Sequence, residues 1–224
     1  MLETDLNLTA EIKLSYDLFI PETQDAPAPL LLAVHGYGAH KRYMMREARL
    51  VAPDDFIVAS IQAPHQHYRQ TDSGLKVGFG WLTDYKSEDS IALHHHFALR
   101  LIENLVERNL VDANRIYIYG FSQACALNFR FAFTYPETVR GVIGVCGGIP
   151  SDLETNEIYK NLAADVLYLY GDTDEFYPLE KFQMSERKLK DRLPNFQAKS
   201  YGAKHEITDK MREDIKRWLG KSEK

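Results

Sequence analysis

A serine, an acidic residue and a histidine follow one another in a context that could perform acyl transfer. Ser122 lies within GFSQA at 120–124, between a β-branched run and an apolar run typical of a buried helix. A G-x-S-x-G stretch in that context forms a sharp turn that exposes the serine hydroxyl. Here Ala124 replaces the second glycine, and a serine that only caps the helix is the simpler alternative.

A serine hydroxyl is a poor nucleophile at neutral pH, so it needs a base and an acid that orients the base. The stretch GDTD at 171–174 follows a predicted strand and supplies an acidic residue. GAKH at 202–205 follows the next strand and ends on His205, the only histidine after His96. The order serine, acid, histidine at strand ends predicts a catalytic triad.

Negative charge develops on the carbonyl oxygen during acyl transfer and needs hydrogen-bond donors. HGYG at 35–38 follows a predicted strand, where one backbone N–H is expected. The N–H of Gln123, directly after the serine, would supply the second donor. Four such elements in order, each at a strand end, are more specific than any one of them.

The elements that position these residues alternate between short β-type runs and longer helical patterns. This alternation predicts an α/β fold with a mostly parallel sheet of about seven or eight strands and helices on both faces. The segment 62–86 is predicted to be a long irregular loop. We predict strands at 12–20, 30–34, 56–61, 115–120, 141–146, 166–170 and 198–201, and helices at 44–51, 87–108, 122–134, 152–162, 178–193 and 206–219.

Composition excludes several classes of protein. The 224 residues include 27 Lys and Arg against 32 Asp and Glu, a net charge of −5 that argues against nucleic-acid binding. No run approaches the ~18 apolar residues of a membrane span. The two cysteines and the acidic start MLETDLNL favour a reduced, cytoplasmic protein without stable membrane insertion.

These motifs resemble the α/β-hydrolase superfamily and, more narrowly, the phospholipase/carboxylesterase group that includes the acyl-protein thioesterases. The resemblance covers about 28–219 and rests on HGYG, GFSQ, GDTDEFYP at 171–178, and GAKH. It implies an esterase or thioesterase without cofactor or metal, acting on a small-molecule ester or an acylated substrate.

By this resemblance, Ser122 is the nucleophile, His205 the base and Asp174, rather than Asp172, the acid. Tyr37 and Gln123 are the implied backbone donors. We further expect four residues to contact the substrate: Trp81, Phe121, Cys146 and Phe176. Cys146 could instead be a small buried side chain. The segment 62–86 could form one wall of the acyl or alcohol pocket through Tyr68, Arg69, Phe79 and Trp81, or these side chains could pack it against the sheet edge, which is the simpler explanation for Phe79.

The departures from the family pattern lie around the site. Ala124 and Cys125 replace two glycines, and Ala39 replaces an aspartate. Lys41 and Arg42 could attract an anionic group, or could simply be solvated at the start of a helix.

Other readings of the sequence stay open. The rivals are a peptidase or polymer-directed esterase of the same fold, and a non-catalytic binding protein. We expect one hydrolase domain over 1–224 that can form a homodimer, with no large cap and an open cleft. His65 and His67 lack an evident third metal ligand. The three consecutive histidines at 94–96 lie in a predicted helix, where neighbouring side chains diverge, so we expect one near the core and two in solvent.

Overall fold

The computed structural model describes residues 1–22 and 27–222, and its centre is a seven-stranded sheet. In chain order, the strands of this sheet and of a separate hairpin are β1 (Tyr16–Phe19), β2 (Ala28–Val34), β3 (Ile57–Ile61), β4 (His65–Thr71), β5 (Gly74–Gly80), β6 (Val111–Phe121), β7 (Gly141–Val145), β8 (Asp165–Gly171) and β9 (Phe196–Tyr201). The sheet order is β1-β3-β2-β6-β7-β8-β9. Only β1 runs antiparallel to its neighbour, which confirms the mostly parallel α/β sheet.

Helices cover both faces of the sheet, as the sequence predicts. They are α1 (Lys41–Val51), α2 (Ser87–Glu107), α3 (Gln123–Thr134), α4 (Leu179–Arg192) and α5 (Asp209–Ser222). Helices α1 and α5 pack on one face, and α2, α3 and α4 pack on the other. Along β2, Leu30 and Leu32 point to the face covered by α2, α3 and α4, while Leu31 and Ala33 point to the face covered by α1 and α5. Burial of both faces explains the uninterrupted apolar run of this strand.

The segment 62–86 is not the irregular loop that we predict from its polarity. Most of it forms the antiparallel hairpin β4–β5, in which Thr71 pairs with Gly74 across a two-residue turn. The period-two pattern is hidden because β4 is mostly polar and its side chains are largely exposed. The hairpin backbone pairs with the loop that follows β2, through an isolated bridge between Ala39 and Phe79.

The predicted helix at 152–162 is also wrong. This segment forms successive turns, and the backbone carbonyl of Asp152 accepts hydrogen bonds from the amides of Thr155 and Asn156. The Asp152 carboxylate binds Arg130 of α3, whose guanidinium also contacts the Tyr159 hydroxyl. These polar contacts hold the segment against α3, and its turns do not continue into a helix.

The carboxyl ends of parallel strands meet at one edge of a sheet, where open α/β folds bind ligands. Strands β2, β6, β8 and β9 end at this edge and are each followed by one of the four motifs. None of the helices within the described residues is long and apolar enough to cross a membrane.

Candidate active site

Ser122 occupies a strained turn between β6 and α3. Its φ of 57° and ψ of −122° lie in a region that residues with a side chain rarely adopt. The turn is so closely packed that a Cβ on Gly120 would lie 2.7 Å from the side-chain nitrogen of Asn128. Ala124 is fully buried in the core, so the extra methyl group at this departure from the family pattern is accommodated.

The HGYG loop lies directly against Ser122. A Cβ on Gly36 would come within 2.9 Å of the Ser122 Cβ, so only glycine allows this approach. Buried His35 anchors the loop: its Nε2 accepts a hydrogen bond from the Ala63 amide at 3.1 Å, and its Nδ1 lies 2.8 Å from the Gly36 carbonyl oxygen. Burial lowers the pKa of His35 to about 4, which keeps the ring neutral in this role.

His205 connects the serine to an acid. Its Nε2 lies 2.8 Å from the Ser122 Oγ, and its Nδ1 lies 2.7 Å from Oδ2 of Asp174. The other oxygen of Asp174 accepts hydrogen bonds from the amides of Phe176 and Tyr177 at 2.8 and 3.0 Å. The carboxylate is thereby fixed on the Nδ1 side, which leaves Nε2 facing the serine hydroxyl.

Asp172, the other aspartate of the GDTD stretch, is not part of this arrangement. Its side chain is exposed, while its amide donates to the carbonyl of Tyr201. The acid and base loops are joined by Thr173, whose amide and hydroxyl both donate to the Ala203 carbonyl. A Cβ on Gly171 would lie 2.3 Å from that same oxygen, so the two loops touch through their backbones.

Tyr37 and Gln123, the two expected amide donors, belong to the two segments that meet at Ser122. Tyr37 follows Gly36, and Gln123 is the first residue of α3. The side chain of Gln123 has a further contact that sequence reasoning missed, because its Oε1 accepts from the Trp81 amide at 2.9 Å. Its Nε2 donates to the Leu82 carbonyl, so the segment after the hairpin is tied to the start of α3.

The cavity over Ser122 has a volume of about 480 Å³. Phe121 lines it, and the exposed ring of Phe176 packs edge-on against His205 with centroids 4.9 Å apart. Trp81 and Cys146 differ from expectation. Trp81 is 1% exposed and its indole N–H donates to the His35 carbonyl, while Cys146 is fully buried. Their side chains therefore pack the core and offer no surface to a substrate.

The charges at the cleft also differ from expectation. Lys41 forms an ion pair with Asp17 and is mostly buried, and Arg42 does not line the cavity. The arginines that do line it are Arg46 of α1 and Arg69 of β4. Arg69 belongs to the segment 62–86, which the sequence already offers as a possible wall of the pocket, and it does line the cavity.

The remaining histidines do not form a metal site within the described residues. His94 and His95 are both buried, at 1% and 7% exposure, so the expectation of one core and two solvated rings is wrong. Aromatic packing is the reason, since His94 contacts Trp81 and both rings contact Phe131. His65 lies 2.9 Å from the Ser90 hydroxyl.

Comparison with known proteins decides the family. A sequence model of the phospholipase/carboxylesterase family matches residues 16–223. The chain belongs to that family. A curated relative of this phospholipase/carboxylesterase chain, "Putative esterase NocK" of Nocardia uniformis subsp. tsuyamanensis, is 27% identical over 157 residues. That match covers 68% of this chain and 42% of the relative, so the chain spans less than half the length of this curated relative.

Solved structures share the fold of this phospholipase/carboxylesterase family member. Esterase PE8 superposes with a TM-score of 0.75 at 19% identity, covering 94% of this chain and 99% of that one. The Bacillus cereus carboxylesterase gives 0.72 at 18% identity, covering 93% and 94%. At these identities the likeness concerns the fold and confirms the α/β-hydrolase architecture.

Proposed function

We propose that the protein is a serine hydrolase that cleaves carboxylic esters or thioesters through an acyl-enzyme intermediate. The observation that carries the proposal is the continuous hydrogen-bonded series from the Ser122 Oγ through His205 to Asp174. A binding protein has no need of all three groups in that geometry, whereas acyl transfer needs each of them. Family membership supports the same chemistry.

In the proposed first step, the Ser122 Oγ attacks the carbonyl carbon while His205 Nε2 takes the hydroxyl proton. Asp174 holds the imidazole in the tautomer that presents Nε2 to the serine and stabilises the imidazolium that forms. The amides of Tyr37 and Gln123 are proposed to donate to the oxyanion. The alcohol or thiol leaves with the proton from His205.

In the proposed second step, water attacks the acyl-enzyme. His205 removes a proton from this water, the Ser122 oxygen departs and recovers the proton, and the free acid is released. Phe121 and Phe176 are proposed to contact the substrate, because one lines the cavity and the other packs against the base. The reaction needs no redox or group-carrying partner, so we propose no cofactor.

We also propose one hydrolase domain with a core at about 28–219, a cytoplasmic location and no nucleic-acid partner. The net negative charge of the chain supports the absence of a nucleic-acid partner. We also propose that the chain can form a homodimer, which light scattering on the purified protein tests.

Hydrolysis of short p-nitrophenyl esters and acyl thioesters by the wild type and by Ser122→Ala tests the activity. We expect the variant to lose at least about three orders of magnitude in kcat, and a fluorophosphonate probe to label only the wild type. Cleavage of amides in preference to esters would instead indicate a peptidase. Unchanged turnover in a folded Ser122→Ala protein would overturn the mechanism.

A further inference from the structure

Two arginines from separate parts of the chain line the cavity that contains Ser122 and His205. Arg46 comes from α1, and Arg69 comes from β4 of the hairpin. The cavity volume of about 480 Å³ suits a small ligand rather than a long polymer segment. Two arginine side chains therefore border the cavity that contains the Ser122 hydroxyl.

Arg69 lines this cavity and lies beside two glycines, Gly38 and Gly78. A Cβ on Gly78 would lie 3.2 Å from the Cδ of Arg69, and a Cβ on Gly38 would lie 3.7 Å from the same atom. The Nη1 atom of Arg69 is 3.9 Å from that Gly38 position. The Arg69 side chain thus lies beside the HGYG loop, in ordinary van der Waals contact with the Gly38 position, and a side chain at Gly78 would crowd it.

Neither arginine is neutralised by an ion pair within 1–22 and 27–222. By contrast, Lys41 at the start of α1 is paired with Asp17. Glu206 is the one carboxylate among the described residues that line the cavity. The two guanidinium groups and one carboxylate give the residues that line the cavity of Ser122 a net positive charge.

We propose that the hydrolase prefers esters or thioesters that carry a carboxylate close to the scissile bond, and that Arg69 binds this carboxylate with help from Arg46. The inference rests on the proposed function. A guanidinium presents paired N–H donors that match the two oxygens of a carboxylate, so it selects this group by geometry as well as by charge. Arg69 and Arg46 then act as specificity-determining residues.

Paired substrates that differ only in charge test the proposal. The first pair is the p-nitrophenyl half-ester of adipic acid and its terminal amide, with the charge on the acyl side. The second pair is 4-acetoxybenzoate and 4-acetoxybenzamide, with the charge on the leaving group. Arg69→Gln and Arg46→Gln are compared with the wild type. Lys76→Gln is the matched control, because Lys76 lies opposite Arg69 in the hairpin but does not line the cavity.

In at least one pair, we expect Arg69→Gln to reduce the carboxylate-to-amide ratio of kcat/KM by about 5- to 50-fold, chiefly through KM. Arg46→Gln should reduce the ratio less, turnover of the neutral substrates should hardly change, and Lys76→Gln should behave as the wild type. An unchanged ratio in Arg69→Gln, or an equal loss in Lys76→Gln, would overturn the proposal. Ser122→Ala is measured separately and should lose activity on both substrates of each pair. Retained activity in this variant would refute the hydrolase mechanism, whereas the result for Arg69→Gln tests the carboxylate subsite.

Discussion

The imidazole of His67 stacks on the phenol ring of Tyr37, with ring centroids 4.6 Å apart and ring planes inclined by 10°. The Gly38 amide of the HGYG loop donates a hydrogen bond to the Phe79 carbonyl of the hairpin that contains His67, at 2.8 Å. Hairpin and HGYG loop therefore form one packed unit. Since Tyr37 is a proposed oxyanion donor, the hairpin is expected to position that donor.

Replacing His67 with alanine should weaken this unit without unfolding the sheet. A stacked aromatic pair contributes about 0.5–1.5 kcal/mol, so we expect the free energy of unfolding to fall by about this amount. Because the Tyr37 amide then loses part of its support, we expect kcat to fall about 2- to 10-fold. Ester turnover and urea unfolding measure the two effects. Tyr68→Ala is the control, because Tyr68 is an exposed aromatic residue of the same strand. An equal loss of kcat in both variants would contradict the positioning role.

Gly36→Ala should abolish most activity. The new methyl group would lie 2.9 Å from the Ser122 Cβ and 3.1 Å from the Phe121 carbonyl oxygen, so the loop or the nucleophile must shift. We expect kcat/KM to fall at least about 100-fold and stability to fall by about 1–3 kcal/mol. Gly220→Ala, with open space around the new methyl group, should keep full activity. Retained activity in Gly36→Ala would show that the contact tolerates the shift.

Asp174→Asn and Asp172→Asn separate the two aspartates of one short stretch. The first removes the acceptor that fixes His205 Nδ1 as a donor, and we expect kcat to fall by about 10³- to 10⁴-fold. The second alters an exposed side chain and should leave kcat within about twofold. Steady-state ester kinetics on both variants give the answer, and the reverse order would assign the acid to Asp172.

Stability should depend on pH through the buried histidines. Burial lowers the pKa of His94 to about 3 and that of His35 to about 4, whereas both rings titrate near 6.5 in the unfolded chain. Because the unfolded chain then binds protons first, the contribution of these two histidines to the free energy of unfolding is fully present well above pH 6.5 and is lost as the pH falls through 6.5 toward 4.

His94→Leu isolates one of these contributions. Both ring nitrogens of His94 lack a partner among the described residues, so an apolar side chain should be tolerated at pH 7. Below pH 6 we expect the slope of unfolding free energy against pH to decrease by about 1.4 kcal/mol per pH unit. Urea unfolding between pH 7 and 5 measures it, with exposed His96→Leu as control. An identical slope in wild type and His94→Leu would contradict the assignment.

The two cysteines should be inert while the protein is folded. Burial raises the pKa of Cys146 to about 12 and raises that of Cys125 as well, so neither forms an accessible thiolate. A thiol-specific reagent should leave esterase activity intact and should react at the rate of unfolding. Rapid inactivation of the native protein by such a reagent would contradict this prediction.

The sequence was sufficient for most of the sheet and for the order of the site motifs. Buried parallel strands such as β2 have an unbroken apolar pattern that can be recognised in the sequence. A glycine-containing polar motif directly after such a strand is likewise a local pattern, and it indicates a site loop. Ala124 was the main departure at the nucleophile turn, and its burial in the core explains why alanine fits there.

Features that depend on tertiary contacts were not predictable in the same way. The hairpin β4–β5 is stabilised by pairing and packing against the HGYG loop rather than by an apolar face of its own. The turns after Asp152 depend on Arg130, which precedes them by 22 residues. His95 and Trp81 are buried by neighbouring elements, and no local pattern distinguishes such residues from solvent-facing or ligand-facing ones.

The hydrogen bond between Ser122 and His205 joins residues that are 83 positions apart, and β9 lies at the edge of the sheet. During synthesis at about 5–20 residues per second, the nucleophile turn therefore leaves the ribosome several seconds before its base. β9 must then join β8 before the two loops can meet. A nascent chain that ends before this strand lacks the proposed base, so we expect ester cleavage to begin only when the sheet is complete.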